Sequence, residues 1–430
     1  MKYIDEEETE KMKIVAFTTQ PPVSPAEPGC PRLFSLCREL AREHSITLLC
    51  PMGNAEPSTL DNLNSVYTRC ISIPSEPEAQ GMRQRLHTLS LSSVLDPRVR
   101  NPQFVSLIQD MLDRAFNEFP DENGSDAGVA DVILARSLDS SFFIPARLRS
   151  RTVLDLVDST SMLMRRSAPF QKSLQKKITT LLEAHCRLSL EKKTVAEFPA
   201  VITISQHDAK NICGDSLSET HNVSVVRNGI DSRWFAPDAS GERTIPPLPA
   251  APIILFSGVM DYEPNTDAAL FFAEEIFPLI RQKNTNAQFW IVGKNPPPAV
   301  TALNDKPGIR VTGEVPDVLD YILQCRVAIS PLRMGSGVKN KVLQGLAAAR
   351  PMVITSLSAE GIPVEDNKHL LIRDKPESIA AAIIELLNND ALAERLRLTG
   401  RSLLEQEYSW KASAHIVNEL LYKVAESGLY

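Results

Sequence analysis

The sequence alternates short, β-prone apolar runs with segments of helical spacing, and this alternation comes in two blocks. In the first block, the run Lys13–Thr18 precedes a Pro-rich loop, a helical segment over Leu33–His44 and another apolar run, Ile46–Cys50. A β–loop–α–β succession is typical of a parallel sheet with helices on its faces. We therefore predict an α/β protein made of two doubly wound, Rossmann-like parallel-sheet domains.

Residues 236–252 separate the two blocks, because their Pro, Gly, Ser and Ala content and their lack of periodicity are typical of a linker. A length of 430 residues suits two domains. We expect a solvated tail over 1–11, an N-terminal domain over 12–235 and a C-terminal domain over 253–409. A last helix over 410–430 can cross back to the N-terminal domain. Ligands of such sheets bind beyond the carboxyl ends of the strands, so we expect the site in a cleft between the domains.

Charge and composition argue against several classes of function. The chain has 46 Lys and Arg against 53 Asp and Glu, so general nucleic-acid binding is not expected, because it needs a basic face. No apolar run approaches the ~18 residues of a membrane-spanning helix, and the Glu-rich start lacks the apolar core of a signal peptide. The seven cysteines have no CxxC spacing. We therefore expect a cytoplasmic protein without disulfides or zinc.

The segment after the apolar run that ends at Ser330 has the pattern of a phosphate site. Gly335 and Gly337 allow close backbone approach, and a helix is expected to start near Lys339. Lys339 and Lys341 oppose the dipole of that helix start unless an anion is bound there. Two interpretations remain: a diphosphate site, or a glycine turn before a solvated helix with exposed lysines.

Two other strand ends carry residues that suit a binding site. Gly258 directly follows a buried strand, as is required where a backbone meets a ligand, and one of Asn265, Thr266 and Asp267 is expected to cap the next helix. Asp155 lies within the apolar run TVLDLV, where it needs a partner such as Arg136 or a place at the cleft mouth, with Asp158 close behind it.

Residues 165–193 contain eight Lys and Arg, two Glu and an amphipathic helix. Such a helix can lie on an anionic membrane surface, or it can pack its apolar face against its own sheet.

The chain lacks a GxSxG elbow, a Walker A loop and a GxGxxG motif, which argues against a serine hydrolase, a P-loop kinase and an ordinary NAD dehydrogenase. Four segments, in order, instead resemble bacterial GT-B retaining glycosyltransferases of group 1, similar to family 4 and to the exopolysaccharide sugar transferases. They are LDLVDSTS (154–161), VVRNGIDSRWFAP (225–237), FSGVMDYEPNTDAALFF (256–272) and PLRMGSGVKNKVLQGLAAARPMVITSLSAEGI (331–362).

This resemblance implies a GT-B fold and a hexosyltransferase that uses a nucleotide-diphospho-sugar, of UDP or GDP type, as co-substrate. It implies no cofactor and no metal, because basic side chains and helix N–H groups neutralise the diphosphate. The implied acceptor is a growing polysaccharide or a lipid-linked glycan, and the implied setting is the cytoplasm or the inner face of the membrane. The alternative is a non-catalytic GT-B protein that binds nucleotide sugar or acts as a scaffold in polysaccharide assembly.

By position in the family's motifs, the resemblance implies the following residues. The catalytic set is Lys339, Lys341 and Asp158. The substrate-binding set is Gly29, Asp155, Gly258, Thr312, Gly313, Gly335, Ser336, Gly337, Gln344, Glu360 and Gly361.

The chain departs from the family pattern at three positions. Many relatives have two glutamates where this chain has Ser336 and Gln344, and two glycines where it has only Gly29. An uncharged Gln344 makes a weaker hydrogen bond to a ribose hydroxyl, by ~1 kcal/mol or somewhat more. We therefore expect weaker donor binding, and these departures are what favour the non-catalytic alternative.

Overall fold

The structure is a computed structural model, and it describes residues 11–19, 32–52, 57–74, 101–119, 128–171, 173–214, 222–231 and 249–427. Most of the predicted tail and of the predicted linker, and all of the loop that holds Gly29, lie outside these residues.

The described residues form one seven-stranded and one six-stranded sheet. The strands of the first sheet are β1 (Lys13–Thr18), β2 (Ser45–Pro51), β3 (Arg69–Ile73), β4 (Val132–Arg136), β5 (Thr152–Val157), β6 (Ala200–Thr203) and β7 (Val223–Val225). Those of the second are β8 (Ile253–Ser257), β9 (Gln288–Val292), β10 (Ile309–Gly313), β11 (Val327–Ser330), β12 (Met352–Ile354) and β13 (Leu371–Ile372).

Helices connect the strands. Around the first sheet they are α1 (Arg32–Leu40), α2 (Pro57–Asn64), α3 (Pro102–Asn117), α4 (Leu138–Ser141), α5 (Thr160–Ser167), α6 (Leu174–Glu197) and α7 (Gln206–Cys213). Later in the chain they are α8 (Glu263–Phe271), α9 (Phe277–Lys283), α10 (Pro298–Thr301), α11 (Val318–Ile322), α12 (Asn340–Ala347), α13 (Ser356–Ala359), α14 (Pro376–Asn388), α15 (Asp390–Glu407) and α16 (Trp410–Ser427). A π-helical turn over Phe272–Ile276 joins α8 to α9, and 3₁₀ turns occur at Ala146–Arg151, Ala168–Phe170 and Ala302–Asp305.

Both sheets are parallel, and in each the strand order reverses once. The first has the order β3-β2-β1-β4-β5-β6-β7 and the second β10-β9-β8-β11-β12-β13. The reversals lie between β1 and β4 and between β8 and β11, and ligands of such sheets bind in the crevice at these points. The predicted fold, two doubly wound α/β domains, is confirmed.

Helices on both faces of each sheet explain why the strands are continuously apolar. Along β1, Ile14 and Ala16 face one hydrophobic cluster, whereas Val15 and Phe17 face another. Each sheet is thereby a rigid support for the loops at its carboxyl edge.

The last helix, α16, packs against α1 of the first domain. Trp410, Val417 and Leu421 join the cluster that contains Ile14 and Leu36. A Cβ atom at Gly229, in the NGID block, would come within 2.4 Å of the Trp410 nitrogen, so the close approach at the start of α16 requires glycine there.

The start of α8 differs from the sequence-based expectation. The helix expected to be capped near Asn265 begins at Glu263, and its N-cap, Tyr262, makes no side-chain capping bond. The prediction that one of Asn265, Thr266 and Asp267 caps this helix is therefore wrong, because all three lie within the helix.

Candidate functional site

The candidate site lies in the cleft between the carboxyl edges of the two sheets. From the C-terminal domain it receives the loop after β8, which starts with Gly258, and the loop between β11 and α12. From the N-terminal domain it receives the turn after β5, which carries Asp158. The Ser336 hydroxyl donates to Asp158 Oδ2 over 3.3 Å, so the two domains meet at this point.

Lys339 is buried in the loop before α12. It is only 7% exposed, and its Nζ donates to the carbonyl oxygens of Ser336 at 3.0 Å and Gly337 at 2.5 Å. Burial lowers the pKa of Lys339 from 10.5 to about 8. The interpretation with two exposed lysines is wrong for this residue, because the loop carbonyls draw its ammonium group inward.

Lys341 follows two residues later, in the first turn of α12. Its Nζ donates to Asn265 Oδ1 over 2.5 Å and lies 4.1 Å from the centre of the Phe256 ring. Burial and the charge of Lys339 lower its pKa to about 7. Neither lysine forms an ion pair with a carboxylate in the described part of the chain. The charges of the two lysines thus act on one another in the cleft. Glu360, Asp208 and Asp158 act on Lys339 only from beyond ion-pair distance, so none of them pairs with it directly among the described residues.

Asp158 faces this pair from the other domain. Burial, and then the charge of Asp208, raises the pKa of Asp158 from 3.8 to about 6, whereas Ser336 and Lys339 oppose that rise. Burial raises the pKa of Tyr262, in the loop after β8, and the Asp158 charge adds to that rise. The site therefore combines two cations of one domain with one carboxylate of the other.

Two glycines bring these groups together. Gly337 has φ 64°, and a Cβ atom there would lie 2.9 Å from Asp158 Cβ. A Cβ atom at Gly258 would lie 2.6 Å from the Asn265 side chain and 3.1 Å from Lys341 Nζ. Larger residues at either position would push the charged groups apart.

Arg166 of α5 bridges the cleft beside the lysines. It donates to Glu360 Oε2 at 2.5 Å, to Glu360 Oε1 at 3.1 Å and to the carbonyl of Gly335 at 3.0 Å. Glu360, which the resemblance implies as substrate-binding, is thus paired with the opposite domain. Bidentate Arg–carboxylate pairs of this kind fix the orientation of both partners.

Asp155, also implied as substrate-binding, is fully buried. Its Oδ2 accepts from Arg32 Nε at 2.5 Å, and its Oδ1 accepts from the backbone N–H of Val157 at 3.2 Å. Its hydrogen-bonding partner is therefore Arg32, whereas Arg136, suggested from the sequence, interacts with Asp155 through its charge. This burial favours a structural role over direct substrate contact.

The remaining implied residues make fewer contacts with this group, and one of them is not described. Thr312 and Gly313 end β10, with the Thr312 hydroxyl bound to the Gly313 carbonyl at 2.9 Å and open space beside Gly313. Gln344 is half-buried on α12. Gly361 has φ 79° and approaches Ser205 of the other domain. Gly29 lies outside the described residues.

Sequence reasoning missed Arg32, Arg166 and Tyr262 of this site, and it missed the contact of Asn265 with Lys341. Each acts through a partner distant in sequence, as Lys341 and Asn265 do at a separation of 76 residues. For Tyr262, an aromatic residue in a loop between a strand and a helix was the one local signal available.

No group of three or more His, Cys, Asp or Glu that could hold a metal ion occurs among the residues that the structure describes. The arrangement can bind an anion with two negative charges between Lys339, Lys341 and the free N–H groups at the start of α12. It can also hold a polar, uncharged group between that anion and Asp158.

Residues 251–389, about a third of the chain, match the protein family "Glycosyl transferases group 1". This stretch contains the loop after β8, both lysines and Glu360. No curated protein sequence matches the chain.

Solved structures resemble nearly the whole chain. A glycosyltransferase from Rickettsia africae is 13% identical and has a TM-score of 0.63, covering 97% of this chain and 99% of its own. Sucrose-phosphate synthase from Thermosynechococcus elongatus is 16% identical with a TM-score of 0.66, covering 96% and 99%. Anabaena HepE, solved with UDP and glucose, is 12% identical with a TM-score of 0.61, covering 96% and 100%. At such identities the likeness shows the fold alone, and the predicted GT-B fold is confirmed.

Proposed function

We propose that the chain is a glycosyltransferase that moves a hexose from a nucleotide-diphospho-sugar to a growing polysaccharide or a lipid-linked glycan, with retention of configuration. The observation that carries the proposal is the pair of buried ammonium groups of Lys339 and Lys341 at the start of α12. Two neighbouring cations, neither paired directly with a carboxylate among the described residues, are unfavourable in a partly enclosed site of the free protein, and a diphosphate removes that penalty. The family match over 251–389 and the GT-B fold support the same assignment.

The two lysines neutralise the charge that develops on the leaving diphosphate, which is electrostatic stabilisation by groups already in place. They take the part that a divalent cation has in other transferases, so we propose that the reaction is metal-independent.

Asp158 approaches from the opposite side of the cleft. Glycosyl transfer proceeds through a state with positive charge on the sugar ring, and a carboxylate beside that ring stabilises it. We assign this role to Asp158, whose Oδ2 lies within 3.3 Å of the Ser336 hydroxyl.

Donor binding is tested by the melting temperature of the chain with UDP-, GDP- and ADP-sugars. A ligand at about 100 times its Kd stabilises by ~2.7 kcal/mol, which raises the Tm by about 5 °C or more. We expect a UDP-hexose to give the largest rise, because the similar Anabaena structure holds UDP and glucose. The variant Gln344→Glu should increase the rise, since a carboxylate binds ribose hydroxyls more strongly. If no nucleotide sugar changes the Tm, the proposed donor site is wrong.

The second part of the proposal concerns α6. Leu174, Ile178, Leu181 and Leu182 are 73%, 50%, 48% and 53% exposed. The buried residues of the helix begin at Ala184 and continue with Glu191, Thr194 and Val195, so its first ten residues leave their apolar side chains partly open to solvent. No helix in the described ranges is long and apolar enough to cross a membrane. We propose that this exposed stripe, within the basic segment 165–193, lies on an anionic membrane that carries the acceptor.

The triple variant Ile178→Ser, Leu181→Ser, Leu182→Ser should bind phosphatidylglycerol vesicles about 100-fold more weakly, because each buried side chain contributes at least ~1 kcal/mol. The matched control replaces Leu107, Leu398 and Ile416, which are similarly exposed elsewhere, with Ser. Vesicle pelleting at low and high salt measures both. An absence of pelleting by the unaltered chain at every salt concentration would contradict the membrane proposal.

A further inference from the structure

We propose that Arg32 and Asp155 are positioning residues, which hold a strained turn at Val157 and thereby aim the Asp158 carboxylate at the donor site. This inference rests on the proposed function, because the role of Asp158 comes from it. It assigns to Asp155 a task different from the substrate contact implied by the family resemblance.

The strain lies in the backbone of Val157. Its φ is 69°, and a β-branched residue is a genuine outlier in this left-handed region. The register between β5 and β6 also shifts between Asp155 and Val157, so an irregularity interrupts the ladder there. Such strained residues persist only where their surroundings hold them, and they cluster at functional sites.

Asp155, which precedes the turn, fixes the backbone of Val157 by a hydrogen bond. Its Oδ1 accepts the Val157 N–H at 3.2 Å, while its Oδ2 is fixed by Arg32 Nε at 2.5 Å. Arg32 is 3% exposed, and its Nη1 donates to Asn228 Oδ1 at 2.9 Å. Asn228 in turn donates to Asn340, the first residue of α12, at 3.3 Å. The anchor thus connects the turn to the helix that follows Lys339.

Two more buried carboxylates hold the chain after the turn. Asp208 Oδ1 accepts the Ser159 N–H at 2.9 Å. Glu191 of α6 accepts the Ser161 N–H at 3.0 Å and the Ser159 and Ser161 hydroxyls at 2.9 and 2.6 Å. The backbone is therefore fixed both before Asp158, at Val157, and after it, at Ser159 and Ser161. The Asp158 carboxylate itself contacts Ser336 across the cleft.

The test is to measure the pKa of Asp158 by an NMR titration of protein labelled with ¹³C at aspartate Cγ. The signal of Asp158 is assigned by its loss in Asp158→Asn. The charged groups that act on Asp158 are Asp208 and Lys339, and Asp158 in turn acts on Arg136 and Tyr262. In the unaltered chain we expect a pKa of about 6.

Two variants separate positioning from simple charge effects. Asp155→Asn removes a negative charge and Arg32→Gln a positive one, so their direct effects on Asp158 have opposite signs. Release of the turn lets the carboxylate reach solvent, so both variants should lower the pKa of Asp158 toward 3.8. The double variant removes the ion pair as a whole and should lower it as well, which covers the case in which one single variant does not fold.

The matched control is Asp131→Asn, because Asp131 also accepts a backbone N–H, that of Lys13 at 2.7 Å, at the opposite end of the sheet. This control should leave the Asp158 titration unchanged. Donor hydrolysis should slow about 10²-fold in Asp155→Asn with unchanged affinity for UDP, because a small misplacement of a reacting group has that effect. Titrations that stay near pH 6, or that move in opposite directions in the two single variants, would overturn the proposal. A failure of UDP to bind the unaltered chain would instead contradict the proposed function.

Discussion

Replacement of Lys341 by Met should make the free protein more stable at neutral pH and turnover roughly 10²–10³-fold slower. The pKa of Lys341 falls from 10.5 in the unfolded chain to about 7 in the folded one. At this position the unfolded chain therefore binds more protons between pH 7 and 10.5, and the contribution of Lys341 to the free energy of unfolding rises with pH over this interval. At pH 7 and below, burial of the Lys341 ammonium group destabilises the folded protein, and Met removes this destabilisation. Met also removes the charge that binds the diphosphate.

Urea unfolding at several pH values measures the first effect, and the rate of UDP release from a UDP-hexose measures the second. The variant should lack the Lys341 part of the pH dependence, whereas Lys339, with a pKa of about 8, and the buried thiols, with raised pKa values, contribute equally in both proteins. Lys375→Met is a suitable control, because Lys375 is an exposed lysine that also precedes a helix. A Lys341→Met protein with normal turnover would be incompatible with a diphosphate site at α12.

Replacement of Asp158 by Asn should likewise separate stability from activity. The pKa of Asp158 rises from 3.8 to about 6 on folding, so the folded chain binds more protons between these values. Stability contributed by this group is present below pH 3.8 and is lost as the pH rises through 6. At neutral pH the Asn variant should therefore be the more stable protein, yet turn over roughly 10²–10³-fold more slowly.

The pH–rate profile provides a second check on Asp158. Turnover of the unaltered chain should fall as the pH drops below about 6, where the carboxylate becomes protonated. Asp139→Asn, at an exposed ion pair with Arg187, should keep both the rate and the profile. Equal profiles for the unaltered chain and the Asp158 variant would remove the carboxylate from the mechanism.

Features encoded within one contiguous segment were predictable from the sequence. The apolar runs Lys13–Thr18 and Val327–Ser330 form strands with the expected bounds, and the segment around Lys339 and Lys341 precedes and enters a helix as expected. In each case hydrophobic periodicity or glycine placement acts over a few residues, so no distant partner is needed to recognise it.

Features that depend on distant partners were not predictable. The partner of Asp155 is Arg32, 123 residues away, and the partner of Glu360 is Arg166, 194 residues away. The two-residue strand β13 exists because β12 is beside it, since its own length gives almost no periodic signal. The exposure of Ile178 and Leu182 depends on what α6 packs against, which a helical pattern does not specify.

The return of α16 to the first domain has a consequence for how the chain is made. A ribosome completes residues 253–407, the second sheet and its helices, before α16 emerges. Until then the first domain lacks Trp410, Val417 and Leu421, and the faces of α1 and β1 that they cover remain open to water. The domain whose synthesis begins first is therefore the one whose core closes last.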